Sequence, residues 1–427
     1  MITIHLQNGT FATKKANDFD ASVRVLTRAT NVLRDMPLAA IVEVLHTFGR
    51  NIMRNRELAA LPGAGYIALW LSRENLLELI EVNYRGAQFH SYTPGPTGYR
   101  ICLEPRGIIS HFVAGNIPHL TFFSLMLGLL SKNASLVKVP GEHVSYMLQL
   151  LRALGAVRAR SGGRTYSGRD LLKTIVVASF SSKQVAAAEG FSLAADARIV
   201  WGGAEAVESI KGLPERAHTE TIIFGPKYSF GVFDAASVTS RDFEQLLAKA
   251  ASDVVLFNQM ACSSPHVYFF EKSRFPLRRI GEMLARALET MPERLKRSRT
   301  SPELGMRILN ERARYLLDPK LDIIAPKHMG WSIFMNTDVA LEEPIQGGSI
   351  YLKEVRSLAE VVPLITRKIQ AVSVAIRSPR ARVQFAEEIA SRGVDRVVPH
   401  GSLHDFTLPW DGVPALSRLV RWTILKD

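Results

Sequence analysis

The sequence predicts an α/β protein made of two successive domains, each built on a largely parallel sheet. Two observations carry that expectation. Between residues 108 and 224, short and nearly continuous apolar runs alternate with helical patterns, and the alternation starts again after Lys227. Strands covered on both faces read as unbroken apolar runs, and helices on both faces of a parallel sheet give this order. At 427 residues the chain can bury two or three cores. Its 47% hydrophobic and 22% charged residues are ordinary for a globular protein.

Taken in order, Leu26, Ala29 and Leu33 share one helical face before Pro37 interrupts. Ile41, Leu45, Phe48 and Ile52 then repeat at the same spacing. The region to about Gly86 is therefore expected to be a mostly helical layer with a packing role. Residues 90–106 (HSYTPGPTGYRICLEPR) place two short strand-like pieces around a Pro-Gly-Pro-Thr-Gly turn, which predicts a projecting hairpin. A lone hairpin is marginally stable, so this one needs a further surface, such as a second subunit.

Strands are expected at 108–113, 134–139, 174–179, 197–201 and 221–224. Helices are expected between them at 118–130 (with Pro118 in the first turn), 142–157, around 183–188, and from 204. Ligands of such sheets lie beyond the carboxyl ends of the strands. Three segments stand there: Ala114-Gly115-Asn116-Ile117-Pro118, Lys138-Val139-Pro140, and Gly202-Gly203. Beyond Lys227 come a strand at 229–233, a helix near 241–251, a polar loop, and a strand at 267–270. A long helical region at 276–317 follows, then strands near 321–324, 332–335, 350–352 and 371–376. The expected division is a helical layer plus cofactor-binding domain over 1–226 and a second α/β domain over 227–400. A tail over 401–427 is expected to return to the first domain or to a neighbouring subunit.

The net charge of +13 calls for an anionic partner or a solvated basic face. The densest basic stretch is Lys272, Arg274, Arg278, Arg279, Arg294, Lys296, Arg297 and Arg299. No zinc-finger spacing, RNA-binding aromatic motif or helix-turn-helix accompanies it, so nucleic acid is not the expected partner. Phosphorylated cofactors or an acidic protein would use the same charges. No apolar run reaches the ~18–20 residues of a membrane span. Residues 1–10 lack the basic and apolar regions of a secretory signal. Two cysteines, Cys102 and Cys262, make no disulfide framework, and a cytoplasmic protein is expected.

Cys262 lies in the loop Phe257-Asn258-Gln259-Met260-Ala261-Cys262-Ser263-Ser264-Pro265. A thiolate presented there suits nucleophilic attack on a carbonyl carbon. An inert buried thiol is the other reading that the loop alone leaves open.

The order of these pieces, over residues 90–400, resembles the aldehyde dehydrogenase superfamily. Within it, FNQMACSSP and GSLHDFTLPWDG look most similar to the LuxC-type acyl-CoA reductases, the fatty acid reductase components of bacterial bioluminescence. The resemblance implies a Rossmann-type parallel-sheet cofactor domain, a second α/β catalytic domain and a small oligomerisation hairpin, hence a homo-oligomer. It implies that Cys262 is the acylated nucleophile. It also implies that the Asn116 amide and the Cys262 backbone N–H form an oxyanion hole, each donor contributing about 3–4 kcal/mol. Lys138 matches the lysine that holds the adenosine ribose. The sequence departs from the superfamily's K-P-[SA]-E pattern at Lys138-Val139-Pro140-Gly141, which lacks the acidic ribose ligand and leaves room for a 2′-phosphate. NADPH is thus the implied cofactor, with NADH also compatible because Glu142 stands next door. Gly202 and Gly203 match the glycine turn beneath the pyrophosphate.

At Ile223-Phe224-Gly225-Pro226-Lys227, hydrolytic members carry a glutamate that activates water; Ile223 has no such chemistry. The E-x-F-G-P cofactor motif is not recognisable near Glu354, so the nicotinamide ribose contacts stay unassigned. The implied activity is NADPH-dependent reduction of an acyl thioester, with coenzyme A as part of the substrate, to an aldehyde through S-acyl-Cys262. Two alternatives remain open. One is a cysteine-dependent reductase acting on carrier-bound acyl groups or acyl phosphates. The other is a degenerate, basic binding protein on the same scaffold. An acyl-activating synthetase or acyl carrier protein is the implied protein partner.

Overall fold

The computed structural model describes residues 1–95, 98–113, 115, 117–292 and 301–426. The chain divides into two compact units, one of residues 1–225 with 406–427, the other of residues 226–405.

The first unit is built on strands β1 (Ile2–Gln7), β2 (Thr10–Ala16), β3 (Thr93–Pro94), β4 (Arg100–Pro105), β5 (Ile108–Phe112), β6 (Ala134–Lys138), β7 (Arg158–Ser161), β8 (Arg164–Ser167), β9 (Ile175–Ser179), β10 (Ala197–Trp201) and β11 (Glu220–Phe224). Its seven-stranded sheet has the order β11-β10-β5-β6-β9-β1-β2. The five strands from β11 to β9 are parallel, while β1 and β2 are added antiparallel at one edge. Side chains alternate between two apolar clusters. On β9, Ile175 and Val177 enter one and Val176 and Ala178 the other. The helix Leu120–Leu130 lies in the larger cluster, with every residue from Thr121 to Leu130 buried.

The first sixteen residues depart from the expected helical layer: they form the β1–β2 hairpin, and helices begin only at Asp20–Asp35. Asn8 and Gly9 turn it with φ of 49° and 69°, the left-handed pair that matches the twist of a tight hairpin. A register shift between Ile4 and Leu6 sends Ile2 and Ile4 to one cluster and Leu6 to the other. A second hairpin, β7–β8, was not expected either, and turns at Gly162 and Gly163.

Residues 90–106 supply two strands of a three-stranded sheet rather than a lone hairpin. β4 pairs with β3 on one side and with β19 (Val420–Leu425) on the other. The supporting surface is thus the chain's own tail. Arg418 bonds Thr221 O at 2.8 Å, and the Asn133 amide donates to Leu419 O at 2.9 Å, tying the tail down.

The second unit holds β12 (Tyr228–Phe233), β13 (Pro265–Glu271), β14 (Asp322–Ile324), β15 (Ser332–Asn336), β16 (Ser349–Val355), β17 (Ile369–Ala375) and β18 (Arg396–Pro399). They form one sheet, β14-β15-β16-β13-β12-β17-β18, parallel except for β14. Val267 and Phe269 of β13 enter one apolar cluster and Tyr268 and Phe270 the other. Helices Leu277–Thr290 and Pro302–Leu317 occupy the long helical region; Arg294, Lys296, Arg297 and Arg299 lie outside the described residues. Among the described residues no helix is long and apolar enough to cross a membrane.

Two glycines test this packing with opposite signs. A Cβ on Gly168 would stand 1.9 Å from the Leu154 carbonyl oxygen, a backbone atom with no room to yield. Gly65, in the helix Ala64–Trp70, faces open space. Thermal unfolding should show Gly168→Ala destabilised by about 1–3 kcal/mol. Gly65→Ala should be stabilised by roughly 0.5–1 kcal/mol.

Candidate active site

In the first unit, successive strands run from β5 outward through β6 to β9, then return to β10 and β11 on the other side. The reversal falls between β5 and β10, where an open parallel sheet has its ligand crevice. The predicted segments follow the ends of β5, β6 and β10. Asn116 and Ala114 lie outside the described residues.

Lys138 is the last residue of β6. Its ammonium lies 4.8 Å from the centroid of the Phe180 ring, and burial lowers its pKa. Among the described residues no carboxylate forms an ion pair with it, so its charge is available to an anion. Pro140 starts the short turn Gly141–His143, which meets the segment after β5: His143 Nε2 lies 2.6 Å from Gly115 O. A Cβ on Gly115 would stand 3.4 Å from Pro140 Cγ and 3.0 Å from the Glu142 carboxylate, so the two turns approach closely there.

Gly203 is the residue before the helix Ala204–Lys211, with φ of −68°. Its backbone is one any residue can adopt, and a Cβ would meet nothing within 4 Å. Folding does not require glycine here. A ligand approaching the free N–H groups of the helix start would. Gly202 has less room, since its Cβ would lie 3.1 Å from that of Ala206. Cation, open glycine turn and helix N-terminus at the strand ends are the donor set that suits the phosphates and ribose of a nicotinamide dinucleotide. Beside them, Trp201 stacks on Phe224 at 3.8 Å and donates its N–H to Ser124 Oγ at 3.0 Å. Ile223 packs against the apolar cluster of the sheet's other face and offers no base.

In the second unit, the helix Phe243–Val255 delivers the chain into the turn Leu256–Gln259. Phe257, Asn258 and Gln259 all have positive φ (54°, 52° and 60°), in the left-handed region that non-glycine residues avoid. Such backbone costs about 1–3 kcal/mol per residue and persists only when the surroundings fix it. They do. Gln259 is fully buried, and its amide donates to Pro265 O at 2.7 Å and Ser349 O at 2.9 Å. Asn258 O accepts the Gly347 N–H at 3.1 Å, from a second left-handed run, Gln346-Gly347-Gly348.

Cys262 follows, half-buried, with its carbonyl accepting from Ser229 Oγ at 2.9 Å. Ser229 Oγ in turn accepts the Ala371 N–H at 3.1 Å. The cysteine's peptide is thus bonded to β12, and through it to β17. Cys102, the other cysteine, is buried in β4 with its thiol near Leu103 O.

His266 is buried and burial pushes its pKa down to about 3, so it is a neutral core residue. His328 stands at the surface 3.7 Å from Glu289. His404 is nearer the chemistry: Nδ1 lies 2.9 Å from Ser263 Oγ and Nε2 lies 3.0 Å from Asp253 O. Burial lowers its pKa to about 4. The Asp253 carboxylate accepts the Gly401 N–H at 2.7 Å, and burial raises its pKa to about 7. Gln259, Asp253 and His404 were not singled out from sequence. A buried glutamine looks like any polar loop residue, and His404 is 141 positions from its serine.

A profile of the family described as "Acyl-CoA reductase (LuxC)" matches residues 26–422. The chain is 24% identical over 380 residues to the long-chain acyl-protein thioester reductase of Aliivibrio fischeri, covering 86% of this chain and 74% of that protein. In structure it is similar to an NAD-dependent benzaldehyde dehydrogenase from Corynebacterium glutamicum (TM-score 0.69, 14% identity), covering 100% of this chain and 94% of that one. It is also similar to an NADP-dependent glyceraldehyde-3-phosphate dehydrogenase from Bacillus halodurans C-125 solved with NADP (TM-score 0.68, 12% identity), covering 99% and 98%. These likenesses show the aldehyde dehydrogenase fold, as the sequence motifs had led us to expect.

Asp253 makes the site's pH response testable. Its folded pKa, about 7, lies above the unfolded value near 4. Between those values the unfolded chain loses a proton that the folded chain keeps, so stability falls as pH rises. The loss is complete above about pH 7. Urea unfolding should show Asp253→Asn equal to wild type near pH 4 and more stable at pH 8. Both forms share the buried histidines, so the difference isolates Asp253, and a gap that fails to widen with pH would contradict the assignment.

Proposed function

The chain belongs to the LuxC acyl-CoA reductase family and is an oxidoreductase that converts acyl groups to aldehydes, and we propose that its acyl donor is a thioester and its reductant NADPH. The observation that carries this reading is Cys262, half-buried on a loop whose strained backbone is pinned by Gln259. The second unit is the catalytic domain and the first is the cofactor domain.

The Cys262 thiolate attacks the thioester carbonyl carbon. A new C–S bond forms, the bond to the departing thiol breaks, and that thiol leaves as coenzyme A or as the thiol of an acyl carrier. The Asn116 amide and the Cys262 N–H are the oxyanion donors in this reading, which rests on the family resemblance. NADPH, when bound, supplies the hydride that reduces the acyl-enzyme. The resulting thiohemiacetal at Cys262 collapses to the aldehyde and restores the thiolate. Ile223 supports reduction over hydrolysis, because a hydrocarbon side chain cannot activate water.

Lys138, without a carboxylate partner among the described residues, supports NADPH: a 2′-phosphate would supply the missing negative charge. NADH is the alternative. Gly202, Gly203 and Pro140 shape the turns that hold the dinucleotide. The acyl donor is a fatty acyl-CoA or an acyl group on a carrier or acyl-activating synthetase. The named substrate of the Aliivibrio relative, an acyl-protein, supports the second form. A homo-oligomer in contact through the three-stranded sheet belongs to the same proposal, supported by Trp422 and Ile424 exposed on β19. A chain of this length with only two cysteines suits a cytoplasmic setting.

Long-chain acyl-CoA with NADPH should yield the aldehyde, and Cys262→Ala should reduce turnover to background while leaving the unfolding midpoint unchanged. Absence of aldehyde from any thioester, with turnover of acyl phosphates, would move the donor assignment. Gly203→Ala should unfold like wild type, since its Cβ meets open space, yet raise the KM for NADPH about 10-fold, the worth of ~1.4 kcal/mol of lost cofactor contact. An unchanged KM would remove Gly203 from the cofactor turn.

A further inference from the structure

The segment Gly401-Ser402-Leu403-His404 has no part in the reaction as set out above, yet it is fastened around the nucleophile loop. Asp253, in the last turn of the helix that leads into the loop, holds it twice: its carboxylate accepts from Gly401 N, and its carbonyl faces His404 Nε2. His404 then reaches the loop at two points. Its ring meets the Phe257 ring edge-on at 5.2 Å, and its Nδ1 lies 2.9 Å from the hydroxyl of Ser263, the residue after Cys262.

The partners settle the direction of these bonds. A carbonyl oxygen cannot donate, so Nε2 carries the proton. Nδ1 is therefore the acceptor, and the Ser263 O–H donates to it. His404 is only 7% exposed, and these two partners set its tautomer.

We propose that His404 is a positioning residue for Cys262, acting through Ser263; the inference rests on the reading that Cys262 is the acylated nucleophile. Ser229 fixes the Cys262 carbonyl, and the His404–Ser263 bond fixes the residue that follows. With the backbone on that side immobilised, the thiol keeps one rotatable bond for finding the line of attack. Holding reacting atoms near the attack geometry is where small displacements cost rate rather than binding. The bond also couples the loop to the end of the second unit, because the chain passes into the first unit after Asp405.

The test follows acylation of the full-length chain by a long-chain acyl-CoA in single turnover, with Cys262 alkylation by iodoacetamide run in parallel. Ser263→Ala and His404→Ala should each slow acylation about 10-fold or more, with half-saturating thioester unchanged within about twofold. The double variant should be no slower than either single, since both remove one shared bond. His404→Asn, whose amide oxygen can take the place of Nδ1, should recover most of the rate. His404→Gln, whose longer amide reaches towards the Asp253 carbonyl instead, should not. A residue that merely fills space or anchors Asp253 would give the reverse order.

Ser263→Ala is small enough to keep the proposal testable if a His404 variant does not fold. Wild-type acylation by Ser263→Ala, additive losses in the double variant, or rescue by Gln and not Asn would overturn the proposal. If the wild type is not acylated at all, the thioester reading itself fails. The alkylation rates then decide separately: the same ranking of variants supports the positioning role, and equal rates overturn it.

Discussion

A buried glutamine anchors the backbone of the Cys262 loop. Phe257, Asn258 and Gln259 sit in a conformation that each would leave if free, and the two hydrogen bonds of the Gln259 amide hold them there. Those bonds end on Pro265, where β13 starts, and on Ser349, where β16 starts. The loop is therefore fixed to the sheet at the edge from which the parallel strands emerge. Strain beside a half-buried thiol, offset by bonds to two strands of the sheet, suits the preorganised nucleophile of the proposed function. Ser229 and His404 extend the same scheme past Cys262.

The first unit solves a different problem with different means. Its crevice falls where the strand order reverses, and the groups offered there are a cation, glycine turns and a helix start. None of these is strained. Gly203 has ordinary backbone angles and open space before it, and in the proposed function that space admits the cofactor. In the proposed function, the two units divide recognition of a phosphate-bearing cofactor from presentation of a reactive sulfur.

How much of this could be read in the sequence follows from the range of the interactions. Parallel strands covered on both faces leave apolar runs, and β5, β6, β9, β10 and β13 all fall where such runs predict. The β1–β2 hairpin was passed over although Ile2, Ile4 and Leu6 alternate before Asn8-Gly9, because helical periodicity dominates the residues that follow. β19 (VRWTIL) carries strand-forming residues, but its partner β4 lies some three hundred residues away, so its place in a sheet cannot be read locally. At the site, Cys262 stands out as one of two cysteines. Gln259 and His404 do not stand out, because their work is defined by carbonyls and a hydroxyl brought from distant strands and turns.

The proposed reaction requires the acyl group to pass through Cys262. Intact-protein mass after mixing the chain with short, medium and long acyl-CoAs, with no nicotinamide present, tests it most directly. The expected result is a mass gain matched to the acyl chain, release of coenzyme A in equal amount, and no gain in Cys262→Ala. An unmodified wild-type mass with every thioester, including carrier-bound ones, would contradict it.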